Sequence, residues 1–279
     1  MRSQPPATLL LAPLLAACTP EAEPARACNG HAELCGRRLD EVALPATHNS
    51  MSSLDEGWLL PNQGPGLQAQ LDDGVRGFLI DTHEEDGELM LCHEYCSMGS
   101  VPLADALAIY ADFLDAHPDE VLVFILQDAI TPAQTEGAFQ AAGLADQAWT
   151  WDGGDMPTLA QLIDGGTRLV VSAESEGPPP AWYHHAWDLF WDTPYEFASQ
   201  DDFSCDLNRG DTANPLFLMN HWLGPLPTEE AAAEVNAAEV LGARAAACAQ
   251  EAGQVPTLVA VDHYELGDLF TVVDGLNGF

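Results

Sequence analysis

Lysine is absent from the 279 residues, and eight arginines stand against 44 acidic side chains, a formal net charge of −36. Nucleic acid is thereby excluded as a partner, because phosphate binding needs clustered cations that release counterions. Attachment to a membrane through a polybasic patch is excluded on the same ground. Two motifs are also missing: a glycine-rich phosphate turn after the first apolar run, and any Cys-x2-Cys pair of the kind that holds structural zinc. No apolar run approaches the ~20 residues needed to span a bilayer. What is present is a 47% hydrophobic content spread along the chain, enough for a large core despite the charge.

The seven cysteines divide as one plus six. Cys18 follows Arg2 and the ten-residue apolar stretch Thr8 to Ala17, which reads as the core of an export signal. Leu15-Ala16-Ala17-Cys18 resembles the bacterial lipobox, in which the cysteine is acylated and becomes the new N-terminus. The alternative is ordinary signal cleavage near Ala17 or Ala27. The expected organisation is therefore a lipoprotein-type signal over residues 1–17, a Pro-, Ala- and Glu-rich tether over 18–27, and one domain over 28–279. Either route predicts an exported chain, lipid-anchored to the cell envelope or secreted. In an oxidising compartment sequence closeness suggests Cys28 with Cys35, Cys92 with Cys96, and Cys205 with Cys248, one of the 15 connectivities that six cysteines allow.

Strand-length apolar runs occur at Val42–Ala46, Val75–Ile80, Glu88–Cys92, Val121–Leu126, Arg168–Ala173, Leu216–Met219 and Leu258–Val261. Helical patterns lie at Leu103–Ala116, Thr135–Ala142, Thr158–Ile163 and Glu229–Glu251. Strands apolar on both faces that alternate with helices imply an α/β fold with a buried parallel sheet. Each run ends in polar or ionisable residues: His48-Asn49, Asp81, His93, Gln127-Asp128, Glu174, Asn220-His221 and Asp262-His263. A barrel brings all such ends to one rim, where these folds place chemistry, so a single TIM-type barrel is expected.

On that rim His48 and His93 form the best pair for proton transfer near neutral pH. A satisfied, partly buried ring is the commoner fate of any one histidine, and two at neighbouring strand ends reverse that preference. Asn49, Asp81 and Asp128 offer oxygen ligands suited to Ca²⁺ or Mg²⁺, whereas zinc would take the histidines. The competing reading of these acids is a solvated surface.

Leu44-Pro45-Ala46-Thr47-His48-Asn49-Ser50-Met51, the segment Gln70 to Asp81, Asp86 to His93, and His117 to Asp128 together resemble the X-domain of phosphatidylinositol-specific phospholipase C, closest to its secreted phospholipase C-like phosphodiesterase branch. The resemblance implies a distorted TIM barrel that cleaves a phosphodiester between glycerol and inositol or a similar alcohol. It makes His48 and His93 the catalytic pair, with His93 protonating the leaving group, and puts Asn49 and Asp81 on metal-ligand positions, with Asp128 a further candidate and Ca²⁺ the expected cofactor (Mg²⁺ second). Leu79 and Gln127 stand where the calcium-dependent enzymes carry acids. Arg76 matches a family arginine and is read as either a structural ion pair or a phosphate contact. By its position Asp262 is read as orienting His48 or as an ordinary barrel-end carboxylate. Glu174 and Asn220 are rim residues that would contact substrate, and Trp182 is an exposed ring for substrate or lipid, whereas Trp187 and Trp191 are read as core.

The expected substrate is a phospholipid or glycerophosphodiester, met by a monomer held at a membrane by its lipid anchor. Two other functions compete. A glycerophosphodiester phosphodiesterase would open with His-Arg-Gly, which is absent here; a catalytically silent polyol- or glycan-binding barrel fits the missing carboxylates at Leu79 and Gln127 but not the two histidines.

Overall fold

Six of the seven apolar runs become neighbouring strands of one parallel sheet in the computed structural model, which describes residues 26–279 together with Met1 and Gln4. The signal, Cys18 and most of the tether lie outside the described residues. In chain order the elements are β1 (Leu44–Thr47), α1 (Leu67–Asp73), β2 (Gly77–Glu85), β3 (Glu88–Leu91), β4 (Val101–Pro102), α2 (Leu103–Ala116), β5 (Leu122–Asp128), α3 (Pro132–Ala141), α4 (Leu159–Asp164), β6 (Leu169–Ala173), β7 (Tyr183–His185), α5 (Ala186–Leu189), β8 (Phe190–Asp192), β9 (Leu216–His221), α6 (Glu229–Val235), α7 (Ala238–Ala252), β10 (Leu258–Val261) and α8 (Leu269–Asn277). The parallel path runs β7-β6-β5-β2-β1-β10-β9-β8. Its ends, β7 and β8, are three residues each and joined by the single turn α5, and they do not pair with one another. The sheet is thus a curled, open version of the TIM barrel.

Three expectations change. Glu88–Cys92 is not a barrel stave: β3 turns back antiparallel on β2 and pairs with β4, a hairpin rising above the rim. The aromatic segment around Trp182, Trp187 and Trp191, outside the seven apolar runs, supplies the two end strands β7 and β8. The helix expected over Glu229–Glu251 is broken between α6 and α7 at Asn236, whose buried amide donates to the main-chain oxygen of Asp262 at 2.8 Å.

The strands bury both faces, and period-two alternation sorts them. Phe78, Ile80, Phe124, Leu126, Val171, Phe217, Met219, Val259 and Val261 face the surrounding helices. Leu44, Ala46, Val123, Ile125, Val170, Leu216, Leu218, Leu258 and Ala260 fill the barrel interior. At Gly77 the interior has no room for a side chain, since an added Cβ would lie 2.6 Å from Cβ of Ala46.

Below the sheet the chain enters at a fixed point. Cys28 is bridged to Cys35, and the Asn29 side chain clasps Val121 at the foot of β5, accepting from its N–H at 2.7 Å and donating to its carbonyl at 3.0 Å. The last residue, Phe279, stacks on His31 with ring centroids 4.0 Å apart, so both ends of the described domain sit at the strand N-termini. The other two bridges are Cys92–Cys96 and Cys205–Cys248, the connectivity expected from sequence. Among the described residues no helix is long and apolar enough to cross a membrane.

Candidate active site

Continuing the interior-facing row of each strand by one more step past the core reaches His48, Asp81, Gln127, Glu174, Asp192, Asn220 and Asp262. The site is therefore the polar cap of the same column of side chains that forms the barrel core. His48 stands one residue beyond β1, where its N–H donates to the carbonyl of Val261 at 3.0 Å. That register sets it beside Asp262, and His48 Nδ1 lies 2.9 Å from Asp262 Oδ1. A carboxylate only accepts, so Nδ1 carries the proton and Nε2 is left for substrate. Asp262 is buried and also accepts from Asn62 Nδ2 at 2.9 Å. Gln63 donates to the main-chain oxygens of His48 at 2.7 Å and Val261 at 3.1 Å, tying the loop after β1 to β10. The indole of Trp222 stacks on the His48 imidazole at 3.8 Å and 5°.

His93 repeats the arrangement from the hairpin. The N–H of Cys92 donates to the carbonyl of Asp81 at 3.2 Å, and His93 Nδ1 lies 2.8 Å from Asp81 Oδ2. Asp81 is buried and His93 half-exposed. The hydrogen bond to Asp81 raises the His93 pKa above its ordinary 6.5; burial opposes the rise, and the charges of Asp81, Glu94 and Asp262 add to it.

The two imidazoles line two connected spaces. The outer cleft, about 300 Å³, is walled by Trp58, Leu59, Leu60, Tyr95, Met98 and Leu226. Leu59, Leu60, Tyr95 and Leu226 are 52–65% exposed, an apolar collar around the mouth. The inner cavity, about 150 Å³, is polar, with Asn49, Asp81, Gln127, Glu174, Arg209 and Asn220 on its walls. Arg209 donates from Nε and Nη2 to Asp192 Oδ2 at 2.9 and 2.6 Å and from Nη1 to Glu174 Oε1 at 3.0 Å. Its guanidinium lies over Trp187 at 4.0 Å and Tyr195 at 4.8 Å. Burial raises the pKa of Glu174, and Arg209 works against that rise. Asn220 donates to Asp192 at 3.1 Å and to the Thr193 carbonyl at 2.6 Å.

Seven of the ten expected site residues come together here: His48, Asn49, Asp81, His93, Glu174, Asn220 and Asp262. Three do not. Arg76 precedes β2, at the opposite end of the barrel, where Nε donates to Glu120 at 2.6 Å and Nη1 to two main-chain carbonyls; it is the structural ion pair. Asp128 is one step out of phase with Gln127 and faces away from the interior, accepting from the N–H groups of Ser175 and Glu176 at 2.9 and 3.0 Å. Trp182 packs on Phe139 of α3, outside the sheet. Sequence reasoning missed Asn62, Arg209 and Trp222 and gave Asp192 no role. Phase identifies Asp192; the others come from loops with no local signal.

A calcium ion takes six to eight oxygen ligands. The interior offers Asn49 and Asp81, but one Asp81 oxygen is engaged by His93, Glu174 is engaged by Arg209, and Leu79 and Gln127 carry no charge. Among the described residues no three His, Cys, Asp or Glu side chains gather as a metal-holding group. The residues present do not fit a resident divalent cation.

Comparison with known proteins agrees with this architecture. A PI-PLC X domain-containing protein 1 of Arthroderma benhamiae is 30% identical over 296 residues, covering 97% of this chain and 95% of that protein. A PI-PLC X domain-containing protein of Arabidopsis thaliana is 26% identical over 262 residues, and there the match spans 61% of the longer relative. The solved phosphatidylinositol-specific phospholipase C of Staphylococcus aureus superposes with a TM-score of 0.60 at 14% identity, over 88% of this chain and 95% of that one, a likeness of fold. The PI-PLC X family profile matches residues 34–277, nearly the whole described barrel, and the chain belongs to that family.

Proposed function

We propose that this chain cleaves a phosphodiester joining glycerol to inositol or a similar polyol, with His48 as base and His93 as acid. The observation that carries the reading is that the two imidazoles line one cleft, each with Nδ1 held on its own buried carboxylate. Each Nε2 is then available to substrate. A hydroxyl adjacent to the phosphate attacks phosphorus, and its proton passes to His48 Nε2 as the new P–O bond forms. The P–O bond to glycerol breaks, and the departing oxygen takes the proton of His93 Nε2. The products are a cyclic phosphate and a free alcohol; a water molecule reverses the two roles to open the ring. The raised pKa favours the protonated form of His93, the form an acid requires. Charge on the phosphate oxygens meets the His93 imidazolium and the Arg209 guanidinium, the cationic groups on the inner cavity.

The name of the Staphylococcus aureus structure supports phosphatidylinositol as the substrate class, and the apolar collar suits the lipid half of such a molecule. Three disulfides and an Arthroderma benhamiae relative named as a secreted protein, 28% identical over 280 residues, support export. The test is ³¹P NMR of the purified protein with phosphatidylinositol and with glycerophosphoinositol. Expected is a cyclic phosphate signal that falls by about 10²-fold or more in His48→Ala and in His93→Ala. Release of glycerol 3-phosphate would instead assign a glycerophosphodiester phosphodiesterase, and no turnover of either substrate would assign a binding barrel.

A further inference from the structure

Trp222 follows β9 and, like His48, Asn49 and His93, lines both the outer cleft and the inner cavity. Its backbone is fixed from beneath. The preceding His221 is buried and neutral, its pKa pushed down to about 3 by burial and by the charge of Arg244. In that state its Nε2–H donates to the Val235 carbonyl at 2.9 Å and its Nδ1 accepts from Arg244 Nη1 at 3.1 Å. Arg244 Nη1 also donates to the Asn220 carbonyl at 2.6 Å, so the strand end that delivers Trp222 is anchored at the Asn220 main chain and through the His221 ring. Behind the indole Tyr195 stacks at 6.3 Å and 27°, and Arg209 closes the column over Tyr195.

The bond from Nδ1 to Asp262 fixes one atom of the His48 ring and leaves the ring free to pivot about it. A pivot moves Nε2, the atom that meets substrate. The flat, nearly parallel indole at 3.8 Å removes that freedom on one side. When Nε2 takes up a proton, the same face lies against a cation, which an aromatic ring favours. We propose that Trp222 is a positioning residue that holds His48 Nε2 toward the reacting hydroxyl. This rests on the two-histidine reading of the proposed function. Phenylalanine keeps a flat face for the imidazole; leucine fills the space without one.

The experiment compares wild type, Trp222→Phe and Trp222→Leu on glycerophosphoinositol, a water-soluble substrate, after urea unfolding has shown which variants fold. Expected in Trp222→Leu is a kcat lowered about 2- to 30-fold with KM changed less than twofold, and in Trp222→Phe a kcat close to wild type. A raised KM at unchanged kcat would make Trp222 only a wall of the cleft and overturn the proposal. So would an equal loss in both variants. A second measurement needs no turnover: the low-field proton resonance of His48 Nδ1–H should be sharp in wild type and Trp222→Phe. If Trp222→Leu keeps that resonance unchanged, the proposal fails, and if Trp222→Leu does not fold, a resonance broadened in Trp222→Phe to the point of loss defeats it equally. A wild type that turns over neither substrate would refute the proposed function while this resonance still reports on the stack.

Discussion

Asp81 accepts a hydrogen bond from His93 Nδ1 at 2.8 Å, although Asp81 belongs to the parallel barrel and His93 to the hairpin above it. The carboxylate that the family resemblance assigns to a metal is here the partner of His93, the proposed acid. Asp81→Asn removes the largest cause of the raised His93 pKa, so the alkaline limb of the rate profile should move to lower pH. The sign for stability follows. His93 gains a partner on folding, so its contribution is complete below the ordinary pKa of 6.5 and is lost as pH rises through the raised folded value. Urea unfolding across that window should show wild type losing stability relative to Asp81→Asn as pH increases.

Asp262 stands to His48 as Asp81 stands to His93, and it is the more buried contact of the two, with His48 22% exposed against 45% for His93. Asp262→Ala removes the acceptor that fixes the His48 tautomer. Steady-state kinetics should show kcat reduced about 10²- to 10⁴-fold, the span that acid–base catalysis contributes.

The donor set on the inner cavity leads to an expectation about metals. Turnover of glycerophosphoinositol in EDTA should lie within about twofold of turnover in millimolar Ca²⁺, and a calcium titration should leave the melting temperature unchanged. A tenfold loss in EDTA restored by Ca²⁺ would show a ligand set beyond Asn49 and Asp81.

The disulfides should separate stability from activity. In the chain-entropy account, the Cys205–Cys248 bridge, spanning 43 residues, contributes about 4 kcal/mol, and Cys92–Cys96, spanning four, about 2 kcal/mol. Paired serine substitutions should therefore lower the urea midpoint more at Cys205 and Cys248. They should lower kcat more at Cys92 and Cys96, because that short bridge closes the loop carrying His93 and Tyr95.

The barrel was legible because six staves are apolar on both faces and end in polar residues, a pattern that only a buried parallel sheet imposes. The same rows carry a finer signal in their alternation. Gln127 and Asp128 are adjacent at one strand end, and phase alone assigns the first to the cavity and the second to the Ser175–Glu176 turn. β7 and β8, three residues each, are too short to show a period. Asn62 reaches Asp262 across 200 residues and Arg209 reaches Glu174 across 35, contacts that depend on loop paths rather than on local sequence. The break at Asn236 reflects the same limit, since the pull on its amide comes from Asp262, 26 residues away.

The clasp of Asn29 on Val121 and the stacking of Phe279 on His31 give the molecule a direction. The chain enters the described domain at the floor of the barrel, at the end opposite the collared mouth. A fusion partner joined at Arg26 or at Phe279 would leave the cleft clear.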